Sequence, residues 1–377
     1  MPFVVILARG IQVSKLGCYG AAWSLTPNFD RIASQSLVFD HFLRENTQPQ
    51  LWGAGLATRT NSWCWSGAPP TFSAQCKSLH LVDPPPNHAW IYSEWLKNIW
   101  MKSAETQADL LVIELLDAVP PWKPELEDLE AYFPGKVVGK LIDANGSNEK
   151  NPKDSLDGPD SQMNEDGLAP WLRPLPSESL EFNHPQVMRE SLLLTHGAAI
   201  ASLDKKLGTV LDFLAEHQTS DTHILVTSDA GIALGEKGLY GHHVSVPWLD
   251  TSNVPLIWCH PTREANSLRH SALVSDRDLN ELLFGKSQKT DGLLESCWDA
   301  PREKGSPFVV THGLNQSRAC RTKDWSLVVE PCGAARLFEF PLDHWEMNDL
   351  GTRHPNELQW MVNQSRTASD QPGGQPS

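Results

Sequence analysis

Basic residues are scarce in this chain of 377. Lysine and arginine number 31 against 46 aspartates and glutamates, a formal net charge of −15. Binding to a nucleic-acid backbone needs a stripe of cations that neutralises phosphates. No such stripe runs through the sequence, so nucleic acid is excluded as a partner. Long apolar runs are also missing. No segment reaches the ~18 apolar residues of a membrane span. The apolar part of the N-terminus, Phe3 to Ala8, is too short for the core of a secretion signal, and no basic stretch precedes it. The expectation is a cytoplasmic protein that does not engage a membrane. Paired cysteines are the third absence. The seven cysteines, at 18, 64, 76, 259, 297, 320 and 332, include no Cys-x-x-Cys. An odd, scattered set reads as reduced thiols and not as a disulfide frame.

What is present is a globular composition, 40% hydrophobic and 20% charged, on a chain long enough for one large domain or two. Tryptophan is plentiful, with Trp52, Trp63, Trp65, Trp90, Trp95 and Trp100 close in sequence. Large aromatics dominate core burial, so these read as core.

Short continuous apolar runs mark strands, and the first of them is of the kind buried on both faces of a parallel sheet. They occur at Phe3 to Ala8, in "LVFDHF", in "ADLLVIELLD" (108–117), in "THILVTSDAG" (222–231) and in "VPLIWCH" (254–260). In "TPNFDRIASQSLVF", Thr26 reads as a helix cap and Pro27 as a first-turn residue, followed by Phe29, Ile32, Ala33 and Leu37 at helical spacing. Residues 190–217 carry a long helical periodicity, with Gly208 marking a bend. The acidic, Pro- and Asn-rich stretch 120–185 reads as an exposed insertion. After Pro307 the pattern becomes antiparallel, with a turn at "PCGAA" and a closing helix at "HPNELQWMVNQS"; residues 367–377 read as a disordered tail.

Strands alternating with helices predict an α/β sheet covered on both faces. Ligands in such sheets sit beyond the carboxyl ends of the strands, where the sequence places Arg9 and Asp229. His242 and His243 follow closely on Gly235, Gly238 and Gly241, whose role is loop geometry. Adjacent side chains of an extended segment point opposite ways, which argues against chelation by the histidine pair.

Four blocks taken together resemble the sulfatase family of the alkaline phosphatase superfamily: "LGCYGAAWSLTPNFDRIASQSLVFDHF", "LVTSDAGIALGEKGLYGHH", "VPLIW" and "RTKDWSLVVEP…ARLFEFPLDHWEMNDL". They occur in order at the start, middle and end of the chain, while 45–105 and 120–185 match poorly. The resemblance implies a three-layer α/β/α sandwich with a large mixed sheet, and a small C-terminal antiparallel sheet and helix. The implied domains are a sulfatase-like domain at 1–306 and an antiparallel subdomain at 307–366. It also implies sulfate-ester hydrolysis with a divalent cation, usually calcium, and a formylglycine nucleophile made from cysteine or serine.

The functional residues do not carry over. Counting back from Leu16-Gly17-Cys18-Tyr19-Gly20, the two metal-binding aspartates expected after the first strand fall on Arg9 and Gly10. The nucleophile position falls on Pro49 and its arginine on Gly53; no Cys-x-Pro-x-Arg occurs in the chain. The later metal pair reads Asp229-Ala230, so the first ligand is kept and the second lost. The expected lysine falls on His242, and the histidine expected after the 108–117 strand is missing, with Ala118, Val119 and Pro120 in its place. One carboxylate does not hold a hard cation that collects six or more oxygens. Asp229 is therefore a vestigial metal position, and the favoured reading pairs it with Arg9, within about 8 Å. The functional expectation is a catalytically inactive sulfatase-like protein, needing no cofactor, with a degenerate site of Arg9, Asp229, His242 and His243. Its implied ligand is a small anionic or sulfated molecule; no protein partner is indicated. The alternative is a sulfuric or phosphate ester hydrolase, calcium-dependent, using a misaligned site or one rebuilt from Asp229, His242, His243 and His196.

Overall fold

The computed structural model describes residues 3–47, 63–66, 79–82, 89–108, 110–120, 122–132, 186–217, 221–241, 246–263, 268–284, 293–298 and 305–367. Among these residues, ten strands precede position 276. Eight of them are β1 (Phe3–Ala8), β2 (Leu37–Leu43), β3 (Trp63–Ser66), β4 (Leu79–Val82), β5 (Leu110–Leu115), β6 (His223–Thr227), β9 (Asn253–Cys259) and β10 (Arg269–Ser275). They form one sheet in the order β10-β2-β9-β6-β1-β5-β3-β4. All neighbours are parallel except at β9, which runs antiparallel to both β6 and β2. The short β7 (Ala233–Leu234) and β8 (Tyr240–Gly241) form a separate hairpin.

The apolar runs are continuous because the sheet is buried on both sides. Val4, Ile6 and Ala8 of β1 pack into one core with Leu111 and Ile113 of β5 and Ile224 and Val226 of β6. Val5 and Leu7 pack into the other with Leu110, Val112 and Leu225. Alternate residues of one strand thus serve two cores. The first core is covered by α1 (Pro27–Ser34), α2 (Ala89–Glu105) and α4 (Gln186–His217). The second is covered by α6 (Asp276–Phe284) and α7 (Leu293–Cys297). This is the expected three-layer sandwich. Trp95, 7% exposed, belongs to the first core as expected, and Trp100 packs against it. The five cysteines with described side chains are free thiols.

The structure corrects three local expectations. Thr26 does stand at the N-cap of α1 and Pro27 opens the helix, but the Thr26 side chain makes no cap hydrogen bond. Its hydroxyl accepts Gly17 N at 2.9 Å. The cap comes from α4, where the Asp204 carboxylate accepts Asn28 N at 3.1 Å and Phe29 N at 2.9 Å. Second, α4 is one helix from 186 to 217 and continues through Gly208. A Cβ there would meet the Asn28 side chain at 2.7 Å, so the missing side chain lets α1 approach α4. Third, the stretch after residue 120 is not exposed at its start. Trp122 is 1% exposed, and α3 (Leu126–Tyr132) ends on a Tyr132 buried to 8%. Most of the remainder, 133–185, lies outside the described residues.

Residues 309–367 build the expected small antiparallel sheet, β11 (Val309–His312), β12 (Arg318–Arg321), β13 (Trp325–Val329) and β14 (Ala335–Glu339), covered by α8 (Pro355–Thr367). Met361 of α8 is fully buried against Leu327 and Leu337, a contribution of roughly 1.5–3 kcal/mol. An ion pair secures this sheet to the larger one. Arg321 and Glu346, with side chains 0% and 1% exposed, lie 3.0 Å apart. Arg321 Nη2 also donates to Pro247 O at 2.9 Å, and Glu346 Oε2 accepts Leu249 N of α5 (Leu249–Ser252) at 2.8 Å.

Candidate functional site at the strand tips

β1, β5 and β6 are parallel neighbours, so their carboxyl ends lie side by side. Each contributes one charged group. β1 runs into Arg9, β5 carries Glu114 next to its end, and β6 leads through Ser228 to Asp229. Arg9 Nε donates to Asp229 Oδ2 at 2.7 Å, and Arg9 Nη1 lies 3.7 Å from Glu114 Oε1. The predicted Arg9–Asp229 pair is present. Side-chain exposures are 23% for Arg9, 5% for Asp229 and 1% for Glu114. Burial alone would lower the guanidinium pKa, but the charge of Asp229, then that of Glu114, holds it above its usual value.

The other Asp229 oxygen is also engaged. Oδ1 accepts Gly10 N at 3.2 Å and Ala230 N at 3.0 Å. Beyond it the loops after β1 and β6 are laced together. Ile11 N donates to Ser228 Oγ at 3.1 Å, and Ser228 Oγ donates to Ala230 O at 3.2 Å. The Gln12 amide exchanges two hydrogen bonds with the backbone of Ile232, at 3.0 and 3.2 Å. Buried Arg44 holds the same loop from behind. Its Nη1 donates to Ser228 O at 3.2 Å while its Nε lies 3.0 Å from Asp276 Oδ1.

At the rim, cations are matched by acids. Lys15 Nζ lies 3.1 Å from Glu236 Oε1 and Lys206 Nζ 2.6 Å from Asp117 Oδ1. Asp250 of α5 is the exception in its protonation. Burial, with the nearby charges of Glu236 and Glu346, pushes its carboxyl up to about 7 against the pull of Lys237 and Lys15.

Calcium, implied by the resemblance, does not fit these residues. A hard cation needs several free oxygens, and Asp229 has committed both of its own. A guanidinium already stands 2.7 Å from that carboxylate. Gly10, the position of the second expected aspartate, has φ +82°, and a Cβ there would lie 2.9 Å from both Ala118 O and Ile232 Cδ1. No carboxylate-bearing side chain is accommodated there. The fourth expected ligand position is Ala230. Among the described residues, no three His, Cys, Asp or Glu side chains are grouped to hold a metal.

Of the other sequence candidates, His242, His243, Pro49 and Gly53 lie outside the described residues. His196 is buried on α4 with its ring centroid 5.2 Å from that of Trp122. Sequence reasoning missed Glu114, although a signal existed: it is the one acidic residue within the otherwise apolar run Leu110–Leu116.

No family model and no curated protein matches the chain. Solved structures do. A protein solved in complex with its substrate D-glucosamine-2-N,6-O-disulfate aligns with TM-score 0.66 and 14% identity, over 100% of this chain and 99% of that one. A 2-O glycosaminoglycan sulfatase aligns with TM-score 0.63 and 13% identity, over 98% and 92% of the two chains. The phosphonate monoester hydrolase of Agrobacterium radiobacter aligns with TM-score 0.57 and 13% identity, over 98% and 95%. At such identities the likeness is one of fold, and it agrees with the strand order and layering above: this chain carries the fold seen in these sulfatase structures.

Proposed function

We propose that this is a non-catalytic sulfatase-fold protein whose strand-tip site works without metal and binds a small anionic or sulfated ligand. The observation that carries the reading is the Arg9–Asp229 pair, at 2.7 Å, where the enzymes of this fold are expected to gather carboxylates around a cation. Hydrolysis in that scheme needs a nucleophile and a charge that stabilises the departing oxygen. This sequence has no Cys-x-Pro-x-Arg, and its remaining metal-type carboxylate is neutralised internally. Ligand recognition falls to the outer edge of Arg9. Nε and Nη1 lie nearest the two acids, while among the described residues no hydrogen bond from Nη2 is formed. A guanidinium edge of this kind suits an oxyanion. His242 and His243, on the segment after β8, are proposed to complete the site.

The test has two arms. Aryl sulfate and aryl phosphate are assayed with calcium, magnesium, manganese and zinc in turn; the expected result is no turnover. Turnover abolished by Asp229→Ala would reject the non-catalytic reading. Thermal shift with inorganic sulfate and with a sulfated disaccharide reads ligand binding. A rise in Tm that Arg9→Gln removes supports the site. No rise with either probe rejects anion binding.

One observation favours the competing reading, a metal-dependent sulfuric or phosphate ester hydrolase: a neighbour of this fold was solved with a disulfated glucosamine as its substrate. The assay arm decides between them.

A further inference from the structure

The geometry points to Arg9 as a tethered cation: its guanidinium occupies the charge position of a divalent ion, so that Arg9 and a metal are mutually exclusive at the strand tips. Three features of the site carry this. First, the guanidinium is shared by two carboxylates from different strands, Asp229 at 2.7 Å and Glu114 at 3.7 Å. Both are nearly inaccessible to water, with exposures of 5% and 1%. Two buried acids with no cation between them would repel each other and lose hydration. A positive charge offsets both, and Arg9 supplies it from the same chain.

Second, the remaining oxygen of Asp229 is fixed by amides of both loops, Gly10 N and Ala230 N. The carboxylate organises the loops around it, as a metal-bound carboxylate does, with the guanidinium taking the place of the ion. Third, the arrangement is not readily reversed. Gly10 has φ +82°, and any Cβ added to it would come to 2.9 Å from Ala118 O, so an ion entering in place of Arg9 would find Asp229 and Glu114 but no third carboxylate from position 10. The charge is a single +1 fixed to the chain, since an arginine stays protonated in proteins. A divalent ion would have to displace it from Asp229.

The consequence concerns ion dependence and stability, so it stands independently of whether the site binds an anion. The experiment is thermal unfolding of the full chain with EDTA, or with calcium, magnesium or manganese at millimolar concentration. Four forms are compared: the unaltered protein, Arg9→Gln, Arg9→Lys, and the double variant Arg9→Gln/Asp229→Asn. The unaltered protein is expected to show the same Tm in EDTA and in each metal. Arg9→Gln is expected to lose about 2–5 °C and to regain part of that loss with divalent ion, whereas the double variant regains nothing. Arg9→Lys retains a tethered charge and is expected to unfold between the two without responding to metal, which keeps the idea testable if Arg9→Gln does not fold. A Tm of the unaltered protein that falls in EDTA or rises with metal overturns the inference. So does an Arg9→Gln protein indifferent to metal, or an Arg9→Lys protein stabilised by it.

Discussion

Arg9 and Asp229, 220 positions apart in the chain, meet at 2.7 Å because β1 and β6 are adjacent parallel strands that end at the same level. The contact joins the loops that follow β1 and β6. Glu114 on β5, the neighbour on the other side, makes it a three-strand cluster. Removing one partner of a buried pair strands the other. Arg9→Gln and Asp229→Asn are each expected to cost about 2–4 kcal/mol, and the double variant less than their sum, with a coupling of about 1–3 kcal/mol in chemical denaturation. A coupling near zero would show the pair to be incidental.

Gly10 tests the shape of the same site. Gly10→Ala forces a side chain into a left-handed backbone conformation and against Ala118 O. The expected cost is at least about 2 kcal/mol, read as a lower denaturation midpoint at unchanged slope. Gly20, also at positive φ but with open space around it, is the control; Gly20→Ala is expected to cost about 1 kcal/mol.

Asp250 gives a pH signature. Its carboxyl titrates at about 7, raised from 3.8 by burial and by Glu236 and Glu346. The folded protein thus holds this proton more tightly than the unfolded chain does. The associated stability is complete below about pH 4 and is lost as the pH rises to 7. Asp250→Asn is therefore expected to leave the Tm unchanged at pH 4 and to raise it at pH 8, by at least about 1 kcal/mol of stability. An equal effect at both pH values would assign the change to packing.

The acid side has its own reporter. His223 is held down to about 4 by burial and then by His260. Its Nδ1 accepts Trp258 Nε1 at 3.2 Å, so the neutral ring is the form the fold uses. A depressed histidine favours the fold above about pH 6.5 and works against it as the pH falls toward 4. His223→Gln is expected to flatten that part of the stability profile. A profile as steep as that of the unaltered protein would place the acid sensitivity elsewhere.

Glu346 reports on the link between the two sheets. Glu346→Gln leaves the fully buried Arg321 without its counter-charge and is expected to cost about 3–5 kcal/mol. Hydrogen exchange should quicken first at Leu249, whose amide Glu346 accepts. Protection at Leu249 equal to that of the unaltered protein would show that the ion pair does not secure the junction.

The sheet was legible in the sequence wherever burial on both faces produced an unbroken apolar run. β1, β5, β6 and β9 are all such runs, because alternate residues serve opposite cores. β3 and β4 were not foreseen; their segments lie among Gly, Pro, Ser and Trp and show no such run. The cap of α1 was also hidden, since Thr26 matches the local rule while the carboxylate that performs the task, Asp204, comes from 176 residues away. A helix pattern records its own face and says nothing of a group supplied by another helix. Gly208 reads locally as a helix breaker; only the approach of Asn28 shows why it is small.

By itself, the sequence determined that Arg9 and Gly10 follow directly on the first buried apolar run, since both belong to one continuous segment. It also put Asp229 at the end of a strand. What only the tertiary structure decided is which charge meets which. The order of β5, β1 and β6 in the sheet brings Glu114, Arg9 and Asp229 within one ion-pair cluster, and the left-handed turn at Gly10 closes the space around it. Local patterns report what each strand buries, but electrostatic partnership depends on distances of a few ångströms between segments that the chain sequence leaves hundreds of residues apart.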